Sequence, residues 1–158
     1  MTKRFALCCF LVGLTLSSSF SQPTVFIVRH AEKDDDSKDA ELSEAGRARA
    51  EALANMLRDS KISVIYTTEF KRTQQTAAPL AKALGLTVTT LPAENPAALV
   101  AKLRTSTANS LVVGHGNTIP DIIKALGISE PVNISESDYD NLFVVLLGEP
   151  YLVRLHYR

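Results

Sequence analysis

The sequence TVFIV at residues 24–28 is followed directly by Arg29 and His30. A short run of β-branched and aromatic residues predicts a buried strand. A second apolar run, LVVG at residues 111–114, ends in the same way, at His115. Because open α/β sheets bind their ligands at the carboxyl ends of the strands, these two strand ends predict one shared site rather than scattered surface residues.

Strand and helix patterns alternate along the rest of the chain. The expected strands are residues 24–28, 62–67, 86–90, 111–114, 142–147 and 151–157. The first expected helix is capped by Ser43 and has apolar residues at helical spacing, namely Ala48, Ala52, Leu53, Met56 and Leu57. The second is capped by Thr68 and ends near Leu84, before Gly85. The third covers residues 96–103, and the fourth runs from a capping box at Thr118–Asp121 to Leu126. This order predicts a three-layer α/β/α sandwich with a mostly parallel mixed sheet of about six strands, one of them antiparallel near the C-terminus.

The length and the charge balance limit the possible classes of protein. The chain has 158 residues, with 17 Lys+Arg and 17 Asp+Glu. This length suits one domain with a substantial core. A balanced charge does not favour binding to nucleic acid or to an anionic membrane surface.

The first residues have the composition of an export signal. Lys3 and Arg4 precede an apolar stretch over residues 5–16, and residues 17–21 are four serines and one phenylalanine. This order is typical of a secretory signal peptide over residues 1–21, followed by a single domain over 22–158, although an uncleaved anchor is an alternative. We therefore expect a periplasmic or secreted protein with no stable membrane association after cleavage. Cleavage would also remove the only cysteines, Cys8 and Cys9, and with them any thiol nucleophile.

Four basic side chains are expected to meet at one edge of the sheet. Arg29 and His30 follow the first strand, His115 follows a later one, and Arg72 lies in the first turns of a helix. Two guanidiniums can bind a phosphate dianion through paired, charge-assisted hydrogen bonds. One neutral imidazole can act as a nucleophile near pH 7, while a second donates a hydrogen bond to the phosphoryl oxygens. The residues therefore predict phosphoryl transfer to a histidine.

Four segments resemble motifs of the histidine phosphatase superfamily, the phosphoglycerate-mutase-like proteins. VRHAE at residues 28–32 is similar to its Arg-His-Gly signature, with Ala31 in the place of the usual glycine. LSEAGR at 42–47, TTEFKRTQQTA at 67–77 and VVGHGN at 112–117 are similar to three further motifs of the family, in the same order. The resemblance extends over residues 24–156 and identifies the chain as a small, single-domain member.

The resemblance implies a role for each matching residue. His30 would become the phosphohistidine, and Arg29, Arg72 and His115 would form the phosphate pocket. The family requires no metal ion or other cofactor. Asn117, next to a helix start, would either cap that helix or contribute to phosphate binding.

The proton donor is less clearly indicated. An alkoxide is a poor leaving group, so a general acid is needed, and the same carboxylate would then activate water. Larger family members place this acid after the third strand, where Glu94 is the nearest candidate. Glu32, two residues after His30, is the alternative.

The expected function is metal-independent hydrolysis of a phosphomonoester or of a phosphorylated protein. Two alternatives keep the same fold: a non-catalytic phosphate-binding module, and a phosphotransferase of the phosphoglycerate mutase type. A third alternative is a metallohydrolase that uses His30, His115 and His156, although no metal-ligand spacing supports it. The substrate and the oligomeric state are not indicated by any motif.

Overall fold

A single mixed sheet with helices on both faces forms the molecule. The computed structural model describes residues 22–157. The elements are β1 Thr24–Arg29, α1 Glu44–Leu57, β2 Ile62–Thr67, α2 Lys71–Leu84, β3 Val88–Thr90, α3 Pro96–Thr105, β4 Asn109–Gly114, α4 Ile119–Ala125, β5 Asn141–Leu146 and β6 Tyr151–His156. The six strands are ordered β3-β2-β4-β1-β5-β6.

The directions of the strands confirm the predicted architecture. β1 is parallel to β4, which is parallel to β2, and β2 is parallel to β3. β5 is antiparallel to both β1 and β6, so it alone runs against the other five strands. β1 and β4 are therefore neighbours in the middle of the sheet, and their carboxyl ends lie side by side.

Alternate residues of β1 pack against different helix pairs. Val25 and Ile27 belong to a buried cluster with α3 and α4, whereas Val28 belongs to a second cluster with α1 and α2. Each fully buried aliphatic side chain contributes about 1.5–3 kcal/mol relative to an exposed one. The packing of both faces fixes the position of β1, and with it the residues that follow the strand.

The first helix begins where the sequence predicts it to begin. The Gly46 N–H donates to Ser43 Oγ at 3.1 Å, which caps α1. The buried face differs slightly from the expected one: Leu53 and Leu57 are buried, but Met56 is 45% exposed and Ala48 is also exposed. Ala50 and Ala54 are buried instead, so the face of α1 that packs on the core is shifted from the predicted one.

The predicted Thr68 cap of the second helix is wrong. α2 begins at Lys71, whose N–H donates to the Asp39 carboxylate at 2.8 Å, so a residue distant in sequence supplies the cap. The Thr68 hydroxyl instead contacts Thr73 and His115. The predicted end is correct: Gly85 is in the left-handed conformation, at φ 65°.

The predicted capping box at Thr118 does not form. The Thr118 hydroxyl donates back to the His115 carbonyl at 3.3 Å and makes no cap to α4. The turn between β4 and α4 therefore closes on His115 itself.

The predicted signal peptide, residues 1–21, lies outside the described residues. Over residues 22–157, no helix is both long enough and apolar enough to span a bilayer.

Candidate active site

His30 and His115 meet at the carboxyl ends of β1 and β4. The backbone N–H of His30 donates to the Gly114 carbonyl at 3.0 Å, which continues the parallel pairing one residue beyond β1. The two imidazole rings are edge to face, with centroids 5.4 Å apart. Only 5% of His30 and 7% of His115 is exposed. The structure thus brings together the two histidines that the sequence placed at separate strand ends.

The backbone fixes the proton of His30. Its Nδ1 lies 2.8 Å from the Ala31 carbonyl, and because a carbonyl can only accept, Nδ1 carries the hydrogen. Nε2 is then left with a free lone pair. The Ala31 N–H donates to Thr76 Oγ1 at 2.9 Å, which anchors this segment to α2.

Burial keeps His30 neutral. Burial lowers the pKa of His30, the hydrogen bond to Ala31 opposes this, and the nearby His115, Arg72 and Arg29 also lower it, so that the pKa is about 4. At pH 7 the ring is therefore uncharged, and Nε2 is available as a nucleophile.

Arg29 is held in place from two directions. Its Nη1 donates to the carbonyls of Ser135 and Glu136 at 2.9 and 2.8 Å. Its Cζ lies 4.3 Å from the centroid of the Tyr139 ring, in cation–π contact. Gly116 borders the guanidinium, since a Cβ there would lie 3.5 Å from Arg29 Nε, in ordinary contact.

Arg72 is held in a similar way. Its Nη1 donates to the Lys38 carbonyl at 2.8 Å, and its Cζ lies 4.3 Å from the Phe70 ring centroid. Burial lowers the pKa of Arg72, Asp39 opposes that effect, and Arg29 lowers it further. The two guanidiniums are therefore close enough to repel each other.

Both arginines retain an unused donor. Within residues 22–157, the Nε atoms of Arg29 and Arg72 are buried without a hydrogen-bond partner. A buried charged donor without an acceptor is costly, and two neighbouring ones favour an anion. The arrangement is suited to a phosphate dianion.

His115 is held by residues that precede α2. Its Nε2 lies 2.9 Å from Thr68 Oγ1, and the Phe70 ring packs edge to face against it at 5.4 Å. Burial and the charge of Arg72 lower the pKa of His115 to about 4, while Glu69 opposes this shift. His115 is thus also neutral in the free protein at pH 7.

A cleft of about 430 Å³ opens beside His115. Arg72, Glu94 and Asn117 line it together with His115, so the loop after β3 brings Glu94 to the same opening. Arg29 and His30 do not line this cleft; they adjoin it through Gly116 and His115.

Glu32 faces a different part of the molecule. Its carboxylate forms an ion pair with Arg49 of α1, with Nη2 and Oε1 2.6 Å apart. Burial opposes the shift, but the hydrogen bonds from Arg49 hold the pKa of Glu32 below its usual range. Glu32 is therefore an ionised carboxylate that is already paired, which favours Glu94 over Glu32 as a proton donor.

His156 does not join the other two histidines. Its Nδ1 lies 3.1 Å from Asp140, and more than half of its side chain is exposed. Over the described part of the chain, no three or more His, Cys, Asp and Glu side chains are grouped so that they could hold a metal ion.

Three contacts of the site were not anticipated from the sequence, those of Thr68, Phe70 and Tyr139. Each supports a histidine or an arginine through a side-chain contact. Thr68 and Phe70 lie within the family motif at residues 67–77, and this motif is the sequence feature that could have identified them. Tyr139 lies in an irregular loop that no pattern connects to Arg29.

Part of the chain matches the model of a known family. The family model of the histidine phosphatase superfamily (branch 1) matches residues 25–93, which include Arg29, His30 and Arg72. No curated protein sequence matches the chain.

Two similar solved structures are those of phosphatases. The protein histidine phosphatase SixA, complexed with tungstate, is 21% identical with a TM-score of 0.69 over 84% of this chain and 96% of that one. The mycobacterial glucosyl-3-phosphoglycerate phosphatase, complexed with inorganic phosphate, is 19% identical with a TM-score of 0.67 over 84% of this chain and 95% of that one. At these identities the likeness shows a shared fold.

Proposed function

Because the chain belongs to the histidine phosphatase superfamily, we propose that it hydrolyses a phosphomonoester or a phosphorylated protein, without a metal ion, through a phosphohistidine on His30. The observation that carries this proposal is the state of His30. Its Nδ1 hydrogen is committed to the Ala31 carbonyl, and Nε2 is free beside two arginines with unused donors. A free lone pair next to a phosphate-binding pair is the arrangement that nucleophilic phosphoryl transfer requires.

Substrate binding uses the donors that the protein leaves unpaired. Arg29 Nη1 donates to two backbone carbonyls and Arg72 Nη1 donates to one, which orients each guanidinium and leaves the buried Nε for phosphate. The phosphoryl group is thereby placed against His30. Pre-oriented charges of this kind stabilise the transition state without reorganisation.

The chemistry then proceeds in two steps. His30 Nε2 attacks phosphorus as the bond to the leaving oxygen breaks, and Glu94 supplies the proton that the departing oxygen needs. The Glu94 carboxylate then removes a proton from water as the water oxygen attacks the phosphohistidine. Inorganic phosphate leaves and both residues return to their starting states.

A panel of phosphoesters and phosphohistidine peptides tests the proposal. We expect turnover of at least one of them, and a fall to less than about 1% of the wild-type rate in His30→Ala, because no other nucleophile occupies the position. His156→Ala is the matched control and should keep full activity. Activity that chelators abolish and zinc restores would instead support a metallohydrolase.

We also propose that the domain works outside the cytoplasm after removal of residues 1–21. The support is the charged, apolar and serine-rich order of these residues. N-terminal sequencing of the mature protein should begin at Gln22. A chain that retains Met1 in the cell would contradict this.

A further inference from the structure

The hydroxyl of Thr73 determines which atoms donate near His115. Thr73 is fully buried, and its Oγ1 lies 2.8 Å from the Phe70 carbonyl and 3.1 Å from the Thr68 carbonyl. Carbonyls only accept, so the single hydroxyl hydrogen of Thr73 points to one of them. The same Oγ1 lies 3.0 Å from Thr68 Oγ1. In that contact Thr68 must therefore be the donor.

This commitment leaves Thr68 with no hydrogen for His115. Thr68 Oγ1 lies 2.9 Å from His115 Nε2, and it can only accept there because its one hydrogen is already used. His115 Nε2 consequently carries a hydrogen. His30 carries its hydrogen on Nδ1, so the two neighbouring rings are opposite tautomers.

We propose that Thr68, oriented by Thr73, is a positioning residue that fixes His115 with its hydrogen on Nε2, so that His115 takes up a proton at Nδ1 when a phosphoryl dianion binds. Nδ1 is the ring nitrogen that Thr68 leaves free, and in the neutral ring it presents a lone pair. A lone pair repels a phosphoryl oxygen, whereas a protonated Nδ1 donates to it. The part that concerns phosphate rests on the proposed function; the tautomer does not.

The charges around His115 suit this exchange. Burial opposes a positive ring in the free protein, as do Arg72 from α2 and Arg29 from β1, whereas Glu69 favours one. The adjoining His30 ring is neutral. A bound dianion offsets both arginines. One proton then passes from solvent to Nδ1 as each dianion binds, and it returns to solvent when the anion leaves.

Nitrogen-15 NMR of the imidazoles tests the tautomer in the free wild-type protein, and it requires neither catalysis nor a variant. At about pH 8, where both rings are neutral, we expect His115 to carry its hydrogen on Nε2 and His30 to carry it on Nδ1. Thr68→Ser should keep this pattern, and Thr68→Val, which has the same shape without the hydroxyl, should give a mixture at His115. A wild-type His115 protonated on Nδ1 would overturn the proposal.

Calorimetry of tungstate binding tests the proton uptake. In buffers of different ionisation enthalpy at about pH 6, where a free ring with a pKa of about 4 is still neutral, wild type and Thr68→Ser should each take up about one proton per anion. Thr68→Val should take up less than about half of that, because its His115 can donate from Nδ1 while neutral. Binding without uptake in the wild type would overturn the proposal, whereas no binding of tungstate would contradict the proposed function and leave the NMR result standing.

Turnover separates positioning from simple support of the fold. Thr68→Val should lower kcat/KM by about tenfold, and Thr68→Ser should stay within about threefold of wild type. Equal losses in both variants would contradict a role that depends on the hydroxyl.

Discussion

At the scale of single residues, the site depends on where hydrogens are already committed. The Ala31 carbonyl takes the Nδ1 hydrogen of His30 and leaves Nε2 reactive. Backbone carbonyls of Ser135 and Lys38 orient Arg29 and Arg72 without neutralising them. In the proposed reaction, the nucleophile and two cations are thus oriented before the substrate binds, and such preorganisation lowers a reaction barrier.

The contribution of Arg72 can be measured by truncation. Arg72→Ala should lower kcat/KM by about a hundredfold, because a charged donor aimed at the phosphoryl group is lost. Arg58→Ala removes an exposed guanidinium at the end of α1 and should change nothing. Steady-state kinetics of both variants on one phosphoester decide the matter, and an unchanged Arg72→Ala would remove that residue from the pocket.

The proton donor has a distinct kinetic signature. Glu94→Gln should slow substrates with poor leaving groups by about tenfold or more and should affect activated aryl phosphates less, because only poor leaving groups need protonation. Rates on an alkyl and an aryl phosphate provide the test. Equal losses on both substrates would assign the proton to another acid.

The sequence predicted which candidate site residues would meet better than it predicted the residues that hold them in place. Arg29, His30 and His115 were visible because each follows an apolar strand, and strand ends converge in this class of fold. Thr68 and Tyr139 were not assigned because their contacts join residues far apart in the chain, such as Thr68 and His115. No local pattern encodes such a distance.

At the scale of elements, the start of α1 packs directly against the segment that follows His30. The Ser43 N–H donates to the Glu32 carbonyl at 3.0 Å, and a Cβ at position 46 would lie 2.2 Å from the same oxygen. Glycine at position 46 is therefore required by close backbone approach. This contact sets the path of the chain just beyond His30.

Gly46→Ala tests that contact. The added methyl cannot fit without moving backbone, so we expect the free energy of unfolding to fall by about 2–3 kcal/mol, with a loss of activity. Gly116→Ala is the comparison, since its Cβ would make ordinary contacts at 3.5 Å or more with Arg29. Urea denaturation should show little loss of stability there; equal stability of Gly46→Ala and wild type would contradict the packing described.

Ends of elements were predictable only where the signal was local. Gly85 ends α2 through its own left-handed conformation, and Ser43 caps α1 through an adjacent turn. At Thr68 the local signal failed, because Asp39 from the loop between β1 and α1 already caps α2. A cap supplied from a distant loop is a tertiary contact and leaves no sign at the helix start.

At the scale of the whole molecule, burying two imidazoles has a cost that depends on pH. Burial lowers the pKa values of His30 and His115 from 6.5 to about 4. Between these values the unfolded chain binds protons that the folded protein does not. The free energy of unfolding should therefore have its full value above about pH 6.5 and should fall as the pH drops toward 4.

Denaturation at a series of pH values measures this effect. We expect a loss of about 1–3 kcal/mol between neutral pH and about pH 4.5 in the wild type. A His30→Asn, His115→Asn double variant should lose much less over the same interval. Glu32, whose pKa is lowered by Arg49, contributes stability that is lost only at still lower pH, below its ordinary range. A flat wild-type profile would contradict the buried, neutral state of the two rings.

The overall architecture was predictable because it follows from the alternation of strands and helices. β1 packs against helices on both faces, so its residues 25–28 are all apolar and its end is fixed in position. The single reversed strand, β5, followed from the short hairpin at residues 147–150. The loops that surround the site, including the one that carries Tyr139, have no such periodic signal.

The central claim is that His30 accepts the phosphoryl group. Rapid quenching of a single turnover with a substrate labelled in its phosphoryl group tests it most directly. We predict a labelled protein that is stable in alkali and labile in acid, with the label on Nε2 of His30, and no such species in His30→Ala. Hydrolysis that proceeds without a labelled His30, or a label that persists in His30→Ala, would contradict the account.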